Sequence, residues 1–256
     1  EIKIAVVGKY FDTGDFVLSD AYLSVIEAIK FSAYTLNKKP VITWVNSGDF
    51  ETKDGKKNLQ GLKKYDGIIV PGGFGSRGII GKLEVIKFVR ENKIPYLGLC
   101  YGMQLAVIEY ARNMVGIKDA TSKELDENAK EDVITFMELQ REKIGNKNYG
   151  GSMRLGTQKA ILKVGSIVSK AYGATTVEER HRHRYEVNPA YVKQLEKKGL
   201  VFSGTSPDGV LMEFIELPKK VHPFFVATQA HPEFKARPLS PHPLFTAFIE
   251  AASKKI

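Results

Sequence analysis

Apolar runs alternate with stretches of helical periodicity through the first half of the chain. Short apolar runs predict buried strands at 2–7, 41–45, 67–70 and 96–99. Apolar residues at helical spacing predict helices at 19–34, with Ser19 as a candidate N-cap, and at 82–91 and 103–112. Alternating strands and helices indicate βαβ units, in which a parallel sheet is covered on both faces.

The pattern changes after about residue 116. A polar stretch at 119–132 predicts a loop, and later runs predict strands at 133–139, 153–164, 183–187, 201–205, 211–217 and 224–229, before a helix at 244–252. Successive strands without intervening helices favour antiparallel pairing. We therefore predict an α/β fold with a mainly parallel central sheet, flanking helices and an antiparallel C-terminal portion. No Gly-, Ser- or Pro-rich linker divides the chain, so residues 1–256 are expected to form one domain.

Composition excludes several classes of protein. With 256 residues, 43% of them hydrophobic, the chain can bury a sizeable core and is neither collagen-like nor disordered. No apolar run approaches the ~18 residues of a membrane span. The chain starts without Met and without a signal-peptide pattern, which suggests a piece of a longer cytoplasmic protein. A single cysteine, which cannot form an internal disulfide, also favours a reducing cytoplasm.

The net charge of +9 leaves the binding partner open. A basic excess is one mark of nucleic-acid binding. Here, however, the lysines occur mostly as pairs scattered along the chain, a distribution typical of solvated helix ends and loops. We therefore predict no nucleic-acid partner, while an anionic substrate or an acidic protein surface is equally allowed.

The most informative segment is Gly98-Leu99-Cys100-Tyr101-Gly102, between a predicted strand and a predicted helix. A lone cysteine is more often a small core residue than a nucleophile. In a strand–elbow–helix turn, however, flanking glycines accommodate a strained nucleophile, and the helix N-terminus stabilises a thiolate. Cys100 is therefore the candidate nucleophile.

A thiolate nucleophile needs a general base and a group that orients it. Of the five histidines, His231 is the best placed, because it follows a short apolar strand and Glu233 lies two residues on, facing the same way if the segment is extended. In isolation this pair also fits a strand-end histidine beside a loop acid. His222 and His242 each precede a proline and are interpreted as turn residues.

The remaining histidines, His181 and His183, alternate with arginines on a predicted strand. Period-two alternation places the histidines on one face of the strand, and it places Arg180, Arg182 and Arg184 on the other. Zinc would need further ligands, and the chain has one cysteine and no second close pair of histidines. We therefore predict no metal site.

A glycine-rich segment, Gly73-Phe74-Gly75-Ser76-Arg77-Gly78, formally matches the G-x-G-x-x-G dinucleotide motif. That motif also requires an acidic residue about 20 residues further on, which is missing here. NAD binding is therefore rejected. Instead, the backbone N–H of Gly73 is a candidate oxyanion donor, together with the N–H of Tyr101, the residue after the nucleophile.

With these segments in place, the chain resembles class I (triad-type) glutamine amidotransferases, specifically the C-terminal glutaminase domains of CTP synthases. The elbow is common to the superfamily, whereas Met153-Arg154-Leu155-Gly156 and the string from Arg180 to Glu186 are more specific. The other stretches that carry the resemblance are 4–10, 71–75, 98–104, 150–152 and 229–234. Together they cover nearly the whole chain in the family's order.

The resemblance implies a role for each site residue. Cys100 would attack the glutamine side-chain amide, His231 would protonate the leaving ammonia and Glu233 would hold His231. The N–H groups of Gly73 and Tyr101 would bind the oxyanion that forms on the way to a γ-glutamyl thioester. The implied substrate-binding residues are Gly73, Phe74, Tyr101, Gln104 (near the side-chain slot), Glu124 (for the α-ammonium) and Arg184, or alternatively Arg182 (for the α-carboxylate).

The resemblance also implies partners outside this chain. Ammonia would pass to a synthetase domain preceding Glu1, which would convert UTP to CTP with ATP and Mg²⁺, under activation by GTP, in a homo-oligomer. No cofactor, nucleic acid or membrane is expected for this domain itself. One departure concerns the lid pattern R-G-x-E-G, in which Ile80 replaces the acid and puts the link to GTP in doubt.

Two other functions share some of these features. A stand-alone γ-glutamyl peptidase would carry the same triad and differ only in substrate and partner domain. A basic, non-enzymatic binding module could retain the elbow as scaffold. A complete set of triad, oxyanion and substrate-charge residues argues against the second alternative.

Overall fold

A nine-stranded mixed sheet forms the centre of the computed structural model, which describes residues 1–8, 12–13, 16–17, 22–73, 75–136 and 153–254. In chain order the strands are β1 (Ile2–Gly8), β2 (Asp12–Thr13), β3 (Phe16–Val17), β4 (Pro40–Asn46), β5 (Gly67–Val70), β6 (Tyr96–Leu99), β7 (Thr121–Ser122), β8 (Asp132–Phe136), β9 (Arg154–Leu162), β10 (Thr176–His183), β11 (Tyr185–Val187), β12 (Val201–Thr205), β13 (Met212–Glu216) and β14 (Phe225–Thr228). The α-helices are α1 (Leu23–Thr35), α2 (Gly55–Gln60), α3 (Ile79–Glu91), α4 (Tyr101–Tyr110), α5 (Ile167–Tyr172), α6 (Pro189–Lys197) and α7 (Pro243–Ala252).

The central sheet has a parallel and an antiparallel part. Its strand order is β10-β9-β12-β13-β14-β6-β5-β1-β4. The strands from β14 to β4 pair in parallel, whereas those from β10 to β14 pair antiparallel. The predicted α/β architecture, with parallel strands joined to an antiparallel C-terminal portion, is therefore confirmed, and the two parts of this nine-stranded sheet are equal in their number of strand pairs.

Each face of the sheet carries its own hydrophobic core. In β5, Ile68 and Val70 join the core on the α3 and α4 side, whereas Ile69 joins the core on the α1 and α7 side. Successive side chains of a strand point to opposite faces, so a strand covered on both sides must be apolar throughout. This requirement explains why the parallel strands appear in the sequence as unbroken apolar runs.

The region from 183 to 187 differs from the prediction of one strand. The strand β10 ends at His183, and after Arg184 the chain continues as β11, which pairs with β8 in a separate three-stranded sheet of order β11-β8-β7. Arg184 therefore does not share a strand face with Arg180 and Arg182. A local alternation pattern cannot show that the chain changes sheets.

The helix predictions contain omissions and small errors. Three helices, α2, α5 and α6, are missing from the prediction, although Ser166 and Asn188 cap the last two and Pro189 occupies the first position of α6. These are start signals that the sequence contains. Helix α4 begins at Tyr101, two residues before the predicted start. Ser19 and residues 137–139 lie outside the described residues.

Helix length and polarity also bear on membranes. Among the described residues, no helix combines the length and the apolar character needed to cross a bilayer.

Candidate active site

The chain turns sharply at Cys100, between β6 and α4. The backbone of Cys100 has φ 50° and ψ −100°, a left-handed region that non-glycine residues rarely occupy. The two flanking glycines are required by close packing. A Cβ at Gly102 would lie 2.1 Å from the carbonyl oxygen of Val70, and one at Gly98 would lie 2.7 Å from the hydroxyl of Tyr96. The elbow is thus a strained turn held by its surroundings, as is common at functional sites.

The thiol of Cys100 is buried but has polar neighbours. Its side chain lies at the N-terminus of α4, where backbone N–H groups favour negative charge. The side-chain amide of Gln229 donates to Sγ at 3.6 Å, and the carbonyl oxygen of Arg182 lies 4.0 Å from Sγ. Gln229 is a site residue that was not predicted, because nothing in its local sequence pattern distinguishes it from other strand-end residues.

His231 and Glu233 form a buried pair. Nδ1 of His231 lies 2.7 Å from Oε1 of Glu233, and the imidazole stacks on Phe234 with ring centroids 5.1 Å apart. Because Nδ1–H donates to the carboxylate, Nε2 is left for a reacting group. The pair forms although the segment is not extended as predicted: the 3₁₀ helix Pro232–Lys235 follows His231 and brings Glu233 back toward it.

The imidazole of His231 approaches the thiol beside Gly72. A Cβ at Gly72 would lie 2.8 Å from Cε1 of His231 and 3.7 Å from Cβ of Cys100, and both side chains line one cavity of about 240 Å³. Burial lowers the pKa of His231, but hydrogen bonds and charge attraction from Cys100 and Glu233 outweigh it and raise the pKa to about 10. The geometry therefore favours an imidazolium beside Cys100.

A second cavity, of about 390 Å³, opens on the other side of Cys100. Five residues predicted for the oxyanion hole or for substrate binding line it: Gly73, Tyr101, Gln104, Glu124 and Arg184. Arg182, the alternative carboxylate clamp, lines both cavities, as do Cys100 and Gly73. Phe74 lies outside the described residues. The fold thus brings together side chains that are far apart in the sequence.

Several of these residues are held by the backbone around them. The amide of Gln104 donates to the carbonyl oxygen of Tyr185 at 3.0 Å and to Oε1 of Gln229 at 3.2 Å. The carboxylate of Glu124 accepts from the N–H of Gly75 at 3.0 Å. Within the described part of the chain, the buried Nε of Arg184 has no hydrogen-bond partner. A guanidinium with a donor to spare suits a ligand carboxylate.

Lys82 is a buried cation that the sequence analysis did not identify. Its side chain is fully buried, with Nζ 5.5 Å from the ring centroid of Tyr101 and 3.9 Å from where a Cβ of Gly73 would lie. It therefore lies next to both predicted oxyanion donors. The sequence did contain a signal for this burial. Lys82 lies between Ile79 and Ile86 at helical spacing, which places it on the apolar face of α3.

The other histidines are structural and buried. The interpretation of His222 and His242 as turn residues is incomplete, since His242 caps α7 and lies 2.8 Å from Glu179, while His222 lies 3.1 Å from the carbonyl oxygen of Val89. Among the described residues, no group of three or more His, Cys, Asp or Glu side chains is arranged to hold a metal ion. Ile80, at the predicted lid, is 65% exposed.

Comparison with known proteins matches this site to one family. The model of the family described as glutamine amidotransferase class-I matches residues 17–251. Among curated proteins, the CTP synthase of Corynebacterium jeikeium is 53% identical over 99% of this chain and 45% of its own length, and that of Bifidobacterium longum is 52% identical over 98% and 44%. The chain therefore spans less than half the length of these relatives.

A solved structure gives the same assignment over nearly its whole length. The glutaminase domain of Trypanosoma brucei CTPS, determined with bound acivicin, is 38% identical, has a TM-score of 0.90 and is matched over 95% of its length by the whole of this chain. The chain belongs to the class-I glutamine amidotransferases, and its fold is that of a CTP synthase glutaminase domain. The resemblance inferred from the elbow and the 180–186 string is thereby confirmed.

Proposed function

We propose that this chain, as a class-I glutamine amidotransferase, hydrolyses glutamine to glutamate and ammonia through a covalent thioester on Cys100. One observation carries the proposal: the strained Cys100 lies between an imidazole with a raised pKa and a cavity of about 390 Å³ that Glu124 and Arg184 line. A nucleophile, a proton donor and a substrate pocket are thus adjacent to the same sulfur. This arrangement fits acyl transfer by a cysteine nucleophile.

The charges at the cavity fit the two ends of an amino acid. Arg184 has a donor to spare for the α-carboxylate of glutamine, while Glu124 can accept from the α-ammonium. Arg182 borders the same space and is the alternative carboxylate partner. With the α-groups held there, the side-chain amide of glutamine would reach Cys100, beside Gln104.

The reaction follows from the protonation states at the thiol. The Cys100 thiolate attacks the side-chain amide carbon, and the resulting oxyanion accepts hydrogen bonds from the N–H groups of Gly73 and Tyr101. Such a donor is worth about 10²–10³ in rate. Nε2 of the His231 imidazolium then protonates the amide nitrogen, which leaves as ammonia. Water, deprotonated by the now neutral imidazole, cleaves the thioester and releases glutamate.

The destination of the ammonia is a further part of the proposal. The curated relatives are named CTP synthase and are more than twice as long as this chain. We propose that a synthetase domain in the same polypeptide uses the ammonia to aminate UTP in an ATP-dependent reaction. Ammonia released without that domain would be lost, so we expect the glutaminase to be slow on its own. Covalent labelling of Cys100 is therefore a better assay for this chain than glutamine turnover.

The test uses a diazo-ketone analogue of glutamine, which alkylates a thiolate held in a glutamine site. We expect saturable inactivation and one label on Cys100 by mass spectrometry, with protection by glutamine. Cys100→Ser is the matched negative variant, because it keeps the shape of the elbow and removes the thiol. In a full-length enzyme, Cys100→Ser should abolish glutamine-dependent CTP formation and leave ammonia-dependent formation intact.

Two outcomes would contradict the proposal. A label that appears on another residue, or that glutamine does not block, would remove Cys100 from the substrate site. Turnover of γ-glutamyl peptides that is faster than that of glutamine would instead favour the stand-alone peptidase.

A further inference from the structure

Five buried side chains form a closed ring behind the substrate cavity: Arg154, His181, His183, Glu186 and Glu213. Nδ1 of His181 lies 2.9 Å from Nε2 of His183. On the outer sides of this pair, Nε2 of His181 lies 3.6 Å from Glu213, and Nδ1 of His183 lies 3.4 Å from Glu186. The Arg154 guanidinium closes the ring, at 2.6 Å from Glu213 and 3.3 Å from Glu186. We call this set the His–Glu–Arg ring.

The ring is unusual because so many ionisable groups lie out of water. The side chains of its members are at most 10% exposed. Burial, together with the charge of Arg154, lowers the pKa of His181 to about 2 and that of His183 to about 3, so both are neutral. Burial also raises the pKa of Glu186 well above its usual range, and the charge of Glu213 adds to this. Burial likewise raises the pKa of Glu213, although the hydrogen bond and charge of Arg154 oppose this.

Stability alone does not explain such a cluster. Buried ionic groups lose their hydration, and well-packed apolar residues of similar volume commonly give equal or greater stability. What the ring does provide is a single geometry, because its members contact one another directly and Nδ1 of His183 also lies 3.2 Å from the carbonyl oxygen of Tyr185. Its members come from four strands, β9, β10, β11 and β13, so the ring fixes the positions of these strands relative to one another.

The ring surrounds the break between β10 and β11, which borders the cavity. His181 and His183 precede the break, Glu186 follows it, and Arg184 lies within it. This short segment supplies most of one cavity wall: Arg182, His183, Arg184 and Tyr185 line it. Its carbonyl groups also reach the site, with that of Arg182 4.0 Å from Sγ of Cys100 and that of Tyr185 accepting from Gln104.

We propose that the His–Glu–Arg ring is the positioning device for residues 182–185, and that it sets how tightly the α-carboxylate of glutamine is held. The inference rests on the proposed glutamine site. In the ring, His181, Glu213, Arg154 and Glu186 are positioning residues that act through His183 and the backbone. A displacement of about 1 Å at a reacting or binding group can cost about 10² in rate. Loosening the ring should therefore weaken substrate binding even though His181 itself lies behind His183.

The test compares His181→Leu with His242→Leu in the same chain. His242 is an equally buried histidine paired with a glutamate, but its partner Glu179 lies outside the ring. Inactivation by the diazo-ketone analogue of glutamine gives a half-saturation concentration and a maximal rate. Alkylation by iodoacetamide, which has no α-carboxylate, reports on the thiol alone, and thermal unfolding reports on stability.

For His181→Leu we expect the half-saturation concentration to rise about tenfold or more, the loss of about 1.4 kcal/mol of binding free energy. Iodoacetamide alkylation should stay near the unaltered rate. His181→Asn, whose amide can still contact His183, should recover part of the loss. His242→Leu should lower the melting temperature and leave the half-saturation concentration unchanged. Glu213→Gln, which keeps the side-chain shape, repeats the test if His181→Leu does not fold.

Two results would overturn the proposal. One is an unchanged half-saturation concentration in a folded His181→Leu or Glu213→Gln variant. The other is an equal rise in His242→Leu, which would reduce the ring to general stability. Failure of the proposed function is a different result, because the unaltered chain would then show no saturable, glutamine-protected labelling at Cys100.

Discussion

His231 and the neighbouring pair of His181 and His183 are all buried, but the pKa of the first and those of the pair move in opposite directions. His231 is 9% exposed and has a pKa raised to about 10, whereas His181 and His183, 4% and 2% exposed, have pKa values lowered to about 2 and 3. Burial lowers the pKa in all three. The difference comes from the neighbours, which are a thiol and a carboxylate for His231, and Arg154 and another histidine for the pair.

The comparison shows how one residue type takes on two roles in one small region. The raised pKa of His231 fits the proton donor that the proposed mechanism requires. A histidine that stays neutral in a ring of partners has fixed hydrogen bonds and holds its strand in place. Burial therefore does not decide the role of a histidine in this fold, whereas the charges within a few ångströms do.

The largest expected effect is the removal of the His231 imidazole. His231→Ala should lower the maximal rate of glutamine hydrolysis by about 10²–10⁴, the usual contribution of general acid–base catalysis. The measurement is ammonia release by a full-length enzyme at saturating glutamine. His222→Asn, at a buried histidine far from the thiol, is the control. If the rate of His231→Ala stayed within about tenfold of that of the unaltered enzyme, His231 would not be a general acid–base catalyst, and the contrast with His181 and His183 would be wrong.

A smaller effect is expected from the orienting acid. Glu233→Ala should lower the same rate, but less than His231→Ala does, as in triads where the base transfers protons and the acid only orients it. Glu233→Gln distinguishes charge from shape, since it keeps a side chain of the same length beside Nδ1. Equal rates for Glu233→Ala and the unaltered enzyme would show that His231 needs no carboxylate.

The opposite pKa shifts also predict opposite dependences of stability on pH. Because the pKa values of His181 and His183 are lowered, their contribution is complete above about 6.5 and is lost as the pH falls toward 3 and 2. Because the pKa of His231 is raised, its contribution is complete below about 6.5 and is lost as the pH rises through about 10. Each group changes the unfolding free energy by at most about 1.4 kcal/mol per pH unit.

Urea unfolding across this pH range checks the prediction. The difference between the unaltered chain and His181→Asn should change only on the acid side, and the difference for His231→Asn only on the alkaline side. If both variants changed the unfolding free energy in the same pH range, the contrast between His231 and the pair of His181 and His183 would be wrong.

The smallest effect on catalysis is expected at the pair of His242 and Glu179. His242→Asn keeps a favoured N-cap for α7 and removes the contact with Glu179, so it should cost about 1–3 kcal/mol of unfolding free energy. Its labelling by the glutamine analogue should match that of the unaltered chain. A raised half-saturation concentration for the glutamine analogue in this variant would show that residues outside the His–Glu–Arg ring also position the glutamine site.

Much of the fold could be predicted from local pattern. The strands at 67–70 and 96–99 have the predicted bounds, because a strand buried on both faces carries no charged or strongly polar side chain along its length. Helices α5 and α6 were missed because they are short and their apolar faces are narrow, so only their capping residues mark them. Pattern alone is therefore least informative for short surface helices.

The sequence by itself determined the order of the parallel strands, the elbow at Cys100 and the family, since each depends on residue types at short fixed spacings. Only the tertiary structure decided the break at Arg184, the burial of Lys82 and the opposite pKa shifts of the histidines. These depend on which distant strands pair and which charges they bring within a few ångströms. A pKa in particular follows from the burial and neighbouring charges of the group, and both arise only when the chain has folded.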